Sequence, residues 1–199
     1  KLASQYGIKD KTEVKELTEL AIVKECRDIT QNNSYSIEEK FELIVDLYNH
    51  QVNLSHRTSQ SILLQQYSTP APIGYLAGLF CGMDNENKKG FEPSAGNGLL
   101  TIAGQPKQFI VNEIDDVRNR NLKSQNFLEV TKLDATLEFV RCFRKFDAVI
   151  TNPPFGRLNH KVVFDNFEFD TLDHVMALRA LQTMKIDGRA SIIIGGHTQ

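Results

Sequence analysis

Hydrophobic positions in the first third of the chain recur with the spacing of amphipathic helices. In residues 11–30 these positions are Val14, Leu17, Leu20, Ala21 and Cys26. Residues 36–54 open with Ser36 and Glu39, which have the spacing of a capping box, and continue with an apolar stripe at helical intervals. A third helix is predicted around 56–66. Such apolar stripes usually mark the helix face that packs on a hydrophobic core, so we expect these helices to cover the rest of the domain. The alternative is that they contact DNA or a protein partner.

The pattern changes after Pro70, where short apolar runs begin to alternate with helical stretches. The predicted strands are 90–93, 108–113, 127–131, 146–151 and 189–195. The predicted helices begin at Pro70 and at residue 98 and cover 115–125, 136–143 and 171–186. This alternation predicts an α/β fold with a doubly wound, mostly parallel sheet. We therefore divide the chain into a helical region, 1–66, and an α/β core, 67–199.

Composition narrows the class of protein only a little. The formal net charge is −2, so no global basic field indicates nucleic acid. The three cysteines are far apart, which fits a reducing cytoplasm and argues against structural zinc, and the five histidines lack the spacing of metal ligands. No apolar stretch approaches the roughly 20 residues that span a bilayer. We therefore expect a cytoplasmic protein without a metal site.

A glycine turn follows the first predicted strand of the core. The segment Phe91-Glu92-Pro93-Ser94-Ala95-Gly96-Asn97-Gly98 runs from a strand end into this turn. Two glycines allow the backbone to turn tightly and approach a ligand, and the next helix offers its N-terminus to an anion. The dinucleotide-binding fingerprint requires a third glycine at the position that Thr101 occupies. A P-loop is excluded as well, because no Lys-Ser/Thr pair follows the glycines. Glu92-Pro93 could also be a plain strand end.

Acidic residues follow the next two strands. Glu113 ends the second strand and is followed by Ile114, and an acid there can accept both hydroxyls of a ribose. Asp115 and Asp116 could take that role, although they fit better as caps of the next helix. After the third strand, Asp134-Ala135 is either a ligand-binding pair or a helix N-cap.

The fourth strand, 146–151, ends in Asn152-Pro153-Pro154-Phe155. Two prolines stiffen this turn and remove N–H donors, so its carbonyls and the asparagine side chain can accept hydrogen bonds from a planar amine. A rigid turn without function is the alternative. The stretch 156–170 mixes basic and aromatic residues, and we expect a long loop that either forms a nucleic-acid edge or only covers the sheet.

Together with Gln65-Gln66-Tyr67-Ser68-Thr69-Pro70, these segments resemble the amino-methyltransferases that use S-adenosylmethionine. The order of these segments along the chain is similar to that in the gamma-type N6-adenine DNA methyltransferases. The resemblance is greatest to the methylase domains of mobile-element and helicase-linked proteins. The resemblance runs from about Tyr67 to the end of the chain. It implies a Rossmann-like fold, S-adenosylmethionine as cofactor, and duplex DNA with a flipped adenine as substrate.

The resemblance also implies roles for individual residues. The residues implied to bind the cofactor are Tyr67, Thr69, Pro70, Glu92, Pro93, Ser94, Ala95, Gly96, Gly98, Glu113, Ile114, Asp134, Ala135 and Asn152. Catalysis is implied for Asn152, Pro153, Pro154 and Phe155. Glu92 would reach toward the methionine amine, Asp134 would bond the adenine amine of the cofactor or the target amine, and Phe155 would stack on the target base. Thr69 would bind near the methionine carboxylate, although Ser68-Thr69-Pro70 could instead cap the following helix.

Three alternatives for function remain open: methylation of RNA bases, methylation of protein glutamine, and a non-catalytic module that only binds S-adenosylmethionine. The fold normally has seven strands, whereas five follow from the glycine turn onward. We therefore expect a catalytic core truncated after about five strands, from a longer polypeptide with a target-recognition or helicase region.

Overall fold

The structure is a computed structural model that describes residues 10–51 and 68–195, together with Gly7. Its helices are α1 (Lys11–Gln31), α2 (Ile37–His50), α3 (Ala71–Phe80), α4 (Asp116–Lys123) and α5 (Leu172–Leu181). Its strands are β1 (Gly90–Glu92), β2 (Phe109–Asn112), β3 (Glu129–Thr131), β4 (Phe146–Thr151), β5 (Arg157–Phe164), β6 (Phe167–Thr171) and β7 (Met184–Ile192). The helix predicted around 56–66 and the predicted site residue Tyr67 lie outside the described residues.

Five strands form one parallel sheet in the order β3-β2-β1-β4-β7. This confirms the predicted α/β class and parallel sheet. Because β1 lies between β2 and β4, the chain winds outward in both directions from β1. Ligands in such sheets bind outside the carboxyl ends of the strands, at the point where the winding reverses. The segments after β1, β2 and β4 are therefore brought to one edge.

Both faces of the sheet are covered by apolar side chains. Ala148 and Ile150 of β4 pack with α3 and α4 on one face. Val149, between them, packs on the other face with Met176 and Ala180 of α5. The alternation follows from the period of two along a strand, and burial on both sides explains why β4 reads as a continuous apolar run.

The N-terminal helices form a second layer rather than a separate body. Val23 and Cys26 of α1 and Ile44 of α2 are fully buried against α3 and the segment after the glycine turn. The predicted capping box at the start of α2 is present, with Ser36 and Glu39 exchanging both hydrogen bonds. The predicted stripe on α1 is displaced, because Ala21 is exposed. The buried positions of α1 are Glu16, Glu19, Leu20, Val23, Cys26 and Arg27.

Several predicted elements differ from the structure. The helix expected over 171–186 ends at Leu181, and the strand expected over 189–195 already begins at Met184. The helix expected from residue 98 is a single 3-10 turn, Leu99–Thr101, and Gly104 and Pro106 follow it too soon for an α-helix to continue. The helix expected over 136–143 is reduced to the 3-10 turn Val140–Cys142. The long loop expected over 156–170 is an antiparallel hairpin of β5 and β6.

Candidate functional site

A cavity of about 290 Å³ opens at the carboxyl edge of the sheet. It is bordered by the turns that follow β1, β2, β3 and β4, and by residues from α1, α4 and α5. The predicted site residues that line it are Thr69, Pro93, Ser94, Ala95, Gly96, Glu113, Ile114, Asp134, Ala135, Asn152 and Pro154. The fold therefore brings together segments that lie far apart in the sequence. Pro70, Glu92, Gly98, Pro153 and Phe155 do not line the cavity.

The glycine turn has the backbone conformation that its sequence predicts. Gly96 and Gly98 have positive φ angles of 55° and 97°. At Gly98 a Cβ atom would also lie 3.2 Å from the Phe127 ring. A side chain at either glycine would therefore be strained. The turn is fixed to β2, since the Ala95 N–H donates to the Asn112 carbonyl over 2.9 Å.

Glu113 connects the ends of β1 and β2. Its Oε2 accepts a hydrogen bond from the Gly96 N–H at 2.8 Å, and its Oε1 accepts one from the Asp115 N–H at 2.9 Å. Burial raises the pKa of the Glu113 carboxyl, while the bonds from Asp115 and Gly96 and the charge of Arg118 oppose that effect. Asp115 is the N-cap of α4, accepting from Val117 and Arg118, so the assignment of Asp115 as a cap is confirmed.

Asp134 lines the cavity and also makes a local turn. Its Oδ1 accepts from the Thr136 N–H at 2.9 Å and from the Thr136 hydroxyl at 2.7 Å. The capping geometry left open by the sequence is therefore present, although the turn does not lead into a regular α-helix. Leu133 beside it is half exposed at 51%, as is Ile114 at 57%, so the edge of the cavity is apolar.

Asn152 lies opposite the glycine turn. Its side-chain amide donates to the Thr69 hydroxyl at 3.0 Å, and its Oδ1 is buried from solvent. Thr69 thus contacts the turn after β4 and does not cap α3, whose N-cap is Pro70 without a side-chain hydrogen bond. The alternative that this segment serves only as a helix cap is wrong.

Two other predicted residues lie close to the cavity without lining it. Pro153 is a buried residue of the turn after β4. The Phe155 ring lies beside Gly195, with its Cδ1 3.3 Å from the position that a Cβ of Gly195 would occupy. Phe155 therefore points toward the end of β7, and its predicted stacking on a base stays a prediction.

Glu92 lies at the end of β1, as predicted, but does not line the cavity. It is fully buried beneath the turn, where its Oε1 accepts from the Ser94 N–H at 3.1 Å and from the Ser94 hydroxyl at 3.3 Å. Burial raises the pKa of Glu92 to about 8. The Thr151 hydroxyl, 2.8 Å from the Ser94 hydroxyl, also lies beside the Glu92 carboxylate and opposes the rise in its pKa. Glu92 thus supports the turn through Ser94, and its predicted contact with the methionine amine stays a prediction.

Sequence reasoning missed two charged residues that line the cavity, Glu19 of α1 and Arg118 of α4. Arg118 is held by the buried Glu16 of α1, with Nε 2.8 Å from its Oε2. The same carboxylate accepts from the Asn97 side chain at 2.7 Å, which fixes the glycine turn to α1. A usable signal existed, because Glu16, Glu19 and Val23 share one face of a helix that also carries buried apolar residues.

The hairpin beyond Phe155 carries basic residues that are paired. Lys161 bonds Glu168 at 2.6 Å across the two strands, and Arg157 lies 3.8 Å from Asp170. The nucleic-acid edge expected in this stretch therefore has acidic neighbours that offset its charge.

In the part of the chain that the structure describes, no helix is long and apolar enough to cross a bilayer, and no cluster of side chains suits a metal ion.

No family model matches the sequence, and no curated protein matches it. Solved structures do match. A modification subunit assigned to a type I restriction enzyme from Vibrio vulnificus has 16% identity and a TM-score of 0.51, over 79% of this chain and 40% of that one. The EcoKI M protein of a type I restriction enzyme has 16% identity and a TM-score of 0.49, over 89% of this chain and 51% of that one.

A protein from Pyrococcus horikoshii assigned as an RNA methyltransferase matches with 20% identity and a TM-score of 0.48, over 73% of this chain and 70% of that one. The chain thus spans about half the length or less of the two restriction-enzyme subunits. At such low identity the likeness to the Vibrio subunit shows the fold alone, a Rossmann-like α/β fold with a parallel sheet.

Proposed function

We propose that the cavity binds S-adenosylmethionine and that the protein transfers the methyl group to the N6 amine of adenine in DNA. The observation that carries this proposal is the meeting of Asn152 and Pro154 with Gly96 and Glu113 around one cavity. A glycine turn and a strand-end acid suit a nucleoside, whereas Asn-Pro-Pro suits a planar amine. Their shared cavity would place donor and acceptor of a methyl group side by side.

The residues present fit the proposed cofactor. The volume of about 290 Å³ is close to the lower end of ligand pockets, which begin at about 300 Å³. Each oxygen of Glu113 accepts one backbone hydrogen bond, and a carboxylate oxygen has two acceptor positions, so both can still receive a ribose hydroxyl. Ile114, Leu133 and Ala135 offer apolar surfaces to a purine ring.

The cofactor would supply the methyl group of a sulfonium and would leave as the neutral thioether once the carbon–sulfur bond breaks. The methylated amine would release one proton to water. The protein would then need to orient the substrate amine. In our proposal the two N–H groups of the amine donate hydrogen bonds to the Asn152 Oδ1 and to the Pro153 carbonyl. These bonds favour a pyramidal nitrogen whose lone pair can attack the methyl group. The amide nitrogen of the same side chain donates to the Thr69 hydroxyl, and this bond would hold Oδ1 in place for the amine.

The substrate base would approach from the side of Phe155 and the β5–β6 hairpin. An adenine inside a duplex cannot reach the end of β4, so it must leave the stack, and an aromatic ring beside the pocket stabilises such a base by stacking. Phe155 fits this role because it follows directly after the amine-binding turn. RNA bases and protein glutamine carry a similar planar amine or amide and remain substrates to be tested.

Incubation with S-adenosylmethionine that carries a labelled methyl group, in the presence of duplex DNA, RNA or protein, tests the proposal. We expect label on adenine N6 in DNA and loss of transfer in Asn152→Ala. Asn49→Ala, at an exposed position of α2 away from the cavity, is the matched control and should retain transfer. Label in RNA or protein alone would contradict the DNA assignment. Unchanged transfer by Asn152→Ala would contradict the role of Asn152.

A further inference from the structure

We infer that Glu19 and Arg118 bind the amino-acid end of the cofactor, Glu19 its ammonium group and Arg118 its carboxylate. Neither residue belongs to the glycine turn, the strand-end acids or the Asn-Pro-Pro turn. The inference deepens the proposed function and rests on it, since it takes S-adenosylmethionine as the ligand. It assigns the N-terminal helix α1 a direct part in ligand binding rather than a role as a cap.

Glu19 is a buried carboxylate with little local compensation. It is 5% exposed and borders the cavity, and its Oε2 accepts from the Ser68 hydroxyl at 2.8 Å. A buried carboxylate held by one neutral hydroxyl is costly unless a cation pairs with it. A ligand ammonium in the cavity would be such a cation. Burial also raises the pKa of Glu19, and a nearby positive charge would favour its ionised form.

Arg118 is oriented by its salt bridge so that one nitrogen faces the glycine turn. Its Nε and Nη2 bond Glu16 at 2.8 Å and 3.3 Å. Its Nη1 lies 3.8 Å from the position that a Cβ of Gly96 would occupy, on the surface of the turn that borders the cavity. A guanidinium has five N–H donors in a rigid plane, so the bonds to Glu16 leave donors for a carboxylate.

The two charges are close but do not satisfy each other. The positive charge of Arg118 opposes the rise in the Glu19 pKa. Among the described residues, however, Arg118 forms its ion pair with Glu16 and not with Glu19. The other acids of the cavity are engaged locally, Glu113 by Gly96 and Asp115, and Asp134 by Thr136. An α-amino acid carries both charges on one carbon and can bridge such a separated pair.

Calorimetric titration distinguishes this role from a structural one. S-adenosylhomocysteine carries the amino-acid end, whereas 5′-methylthioadenosine lacks it. In Glu19→Gln we expect the dissociation constant of S-adenosylhomocysteine to rise about tenfold or more, because a charge-assisted hydrogen bond is lost. Binding of 5′-methylthioadenosine should stay within about twofold of the unaltered chain. Glu25→Gln, at an exposed position of the same helix, should change neither.

Two further variants separate the two charges and protect the test from a folding defect. Glu19→Asp keeps the charge and should retain more affinity than Glu19→Gln. S-adenosylmethionine without its carboxylate keeps the ammonium, so its binding should weaken in Glu19→Gln and be unaffected in Arg118→Lys. If Glu19→Gln weakened the binding of S-adenosylhomocysteine and 5′-methylthioadenosine equally, or weakened neither, the assignment of Glu19 would be overturned while the proposed function would stand. No binding of S-adenosylhomocysteine by the unaltered chain would overturn the proposed function as well.

Discussion

Asn152 donates its side-chain amide to the Thr69 hydroxyl across 3.0 Å, and this bond joins positions 83 residues apart. It connects the turn after β4 to the segment that precedes α3. Both residues line the cavity, so the contact fixes the Asn-Pro-Pro turn relative to the ligand. In the proposed reaction, Thr69 therefore positions Asn152.

Replacing Thr69 by valine preserves the shape of the side chain and removes the hydroxyl. We expect kcat for methyl transfer to fall about tenfold, which corresponds to the loss of one hydrogen bond of roughly 1.4 kcal/mol. The affinity for S-adenosylhomocysteine should change less than the rate. Single-turnover kinetics of Thr69→Val and Thr69→Ser checks this, because serine keeps the hydroxyl. Equal rates in the two variants would remove Thr69 from the mechanism.

The buried pair of Glu16 and Arg118 should contribute strongly to stability. Their side chains are 3% and 7% exposed, and the pair joins α1 to α4. Glu16→Gln leaves the buried guanidinium without its main partner, so the free energy of unfolding should fall by about 3 kcal/mol, as measured by urea denaturation. Asp116→Asn, which removes the exposed pair with Lys132, is the control and should have a much smaller effect. Equal losses would contradict the importance of the buried pair.

Glu92 should make stability depend on pH. In the unfolded chain its carboxyl titrates near the ordinary value of 4.5, whereas burial raises its pKa in the folded protein to about 8. Between these values the folded state keeps a proton that the unfolded state has released. This contribution to stability is therefore complete below pH 4.5 and is lost as the pH rises to about 8, by at most roughly 1.4 kcal/mol per pH unit.

Glu92→Gln keeps the size of the side chain and removes the titration. Urea unfolding at several pH values should give a flatter dependence for this variant than for the unaltered chain between about pH 4.5 and pH 8. Other acids with raised pKa values, such as Glu19 and Glu113, are common to both proteins and cancel in the difference. Parallel curves would show that Glu92 is ionised in the folded protein.

The sequence predicted the sheet and most of the cavity because both depend on local patterns. Apolar runs marked β1, β2 and β4, and parallel strands necessarily bring their carboxyl ends to one edge. Gly96, Glu113 and Asn152 could therefore be placed together before the structure was known. The burial of Glu92 beneath the turn could not be predicted, because the strand pattern does not show whether its side chain points into the cavity or beneath the turn.

Contacts between distant segments could not be predicted in this way. Glu16 and Arg118 are 102 positions apart, so although its helical spacing puts Glu16 on the buried face of α1, nothing in the sequence indicates Arg118 as its partner. The β5–β6 hairpin was missed for a similar reason. Its mixture of basic and aromatic residues resembled a loop, whereas the cross-strand pair of Lys161 with Glu168 becomes visible only once the strands are paired.

Hydrogen exchange with and without S-adenosylhomocysteine tests the central claim most directly, because it reports on all segments of the proposed cleft at once. We expect saturating ligand to slow exchange of backbone amides in 94–98, 113–116 and 134–136 together. Amides of the distant helix α2 should exchange as before. Unchanged exchange in these three segments, or protection confined to a different part of the molecule, would contradict a single cofactor cleft at this edge of the sheet.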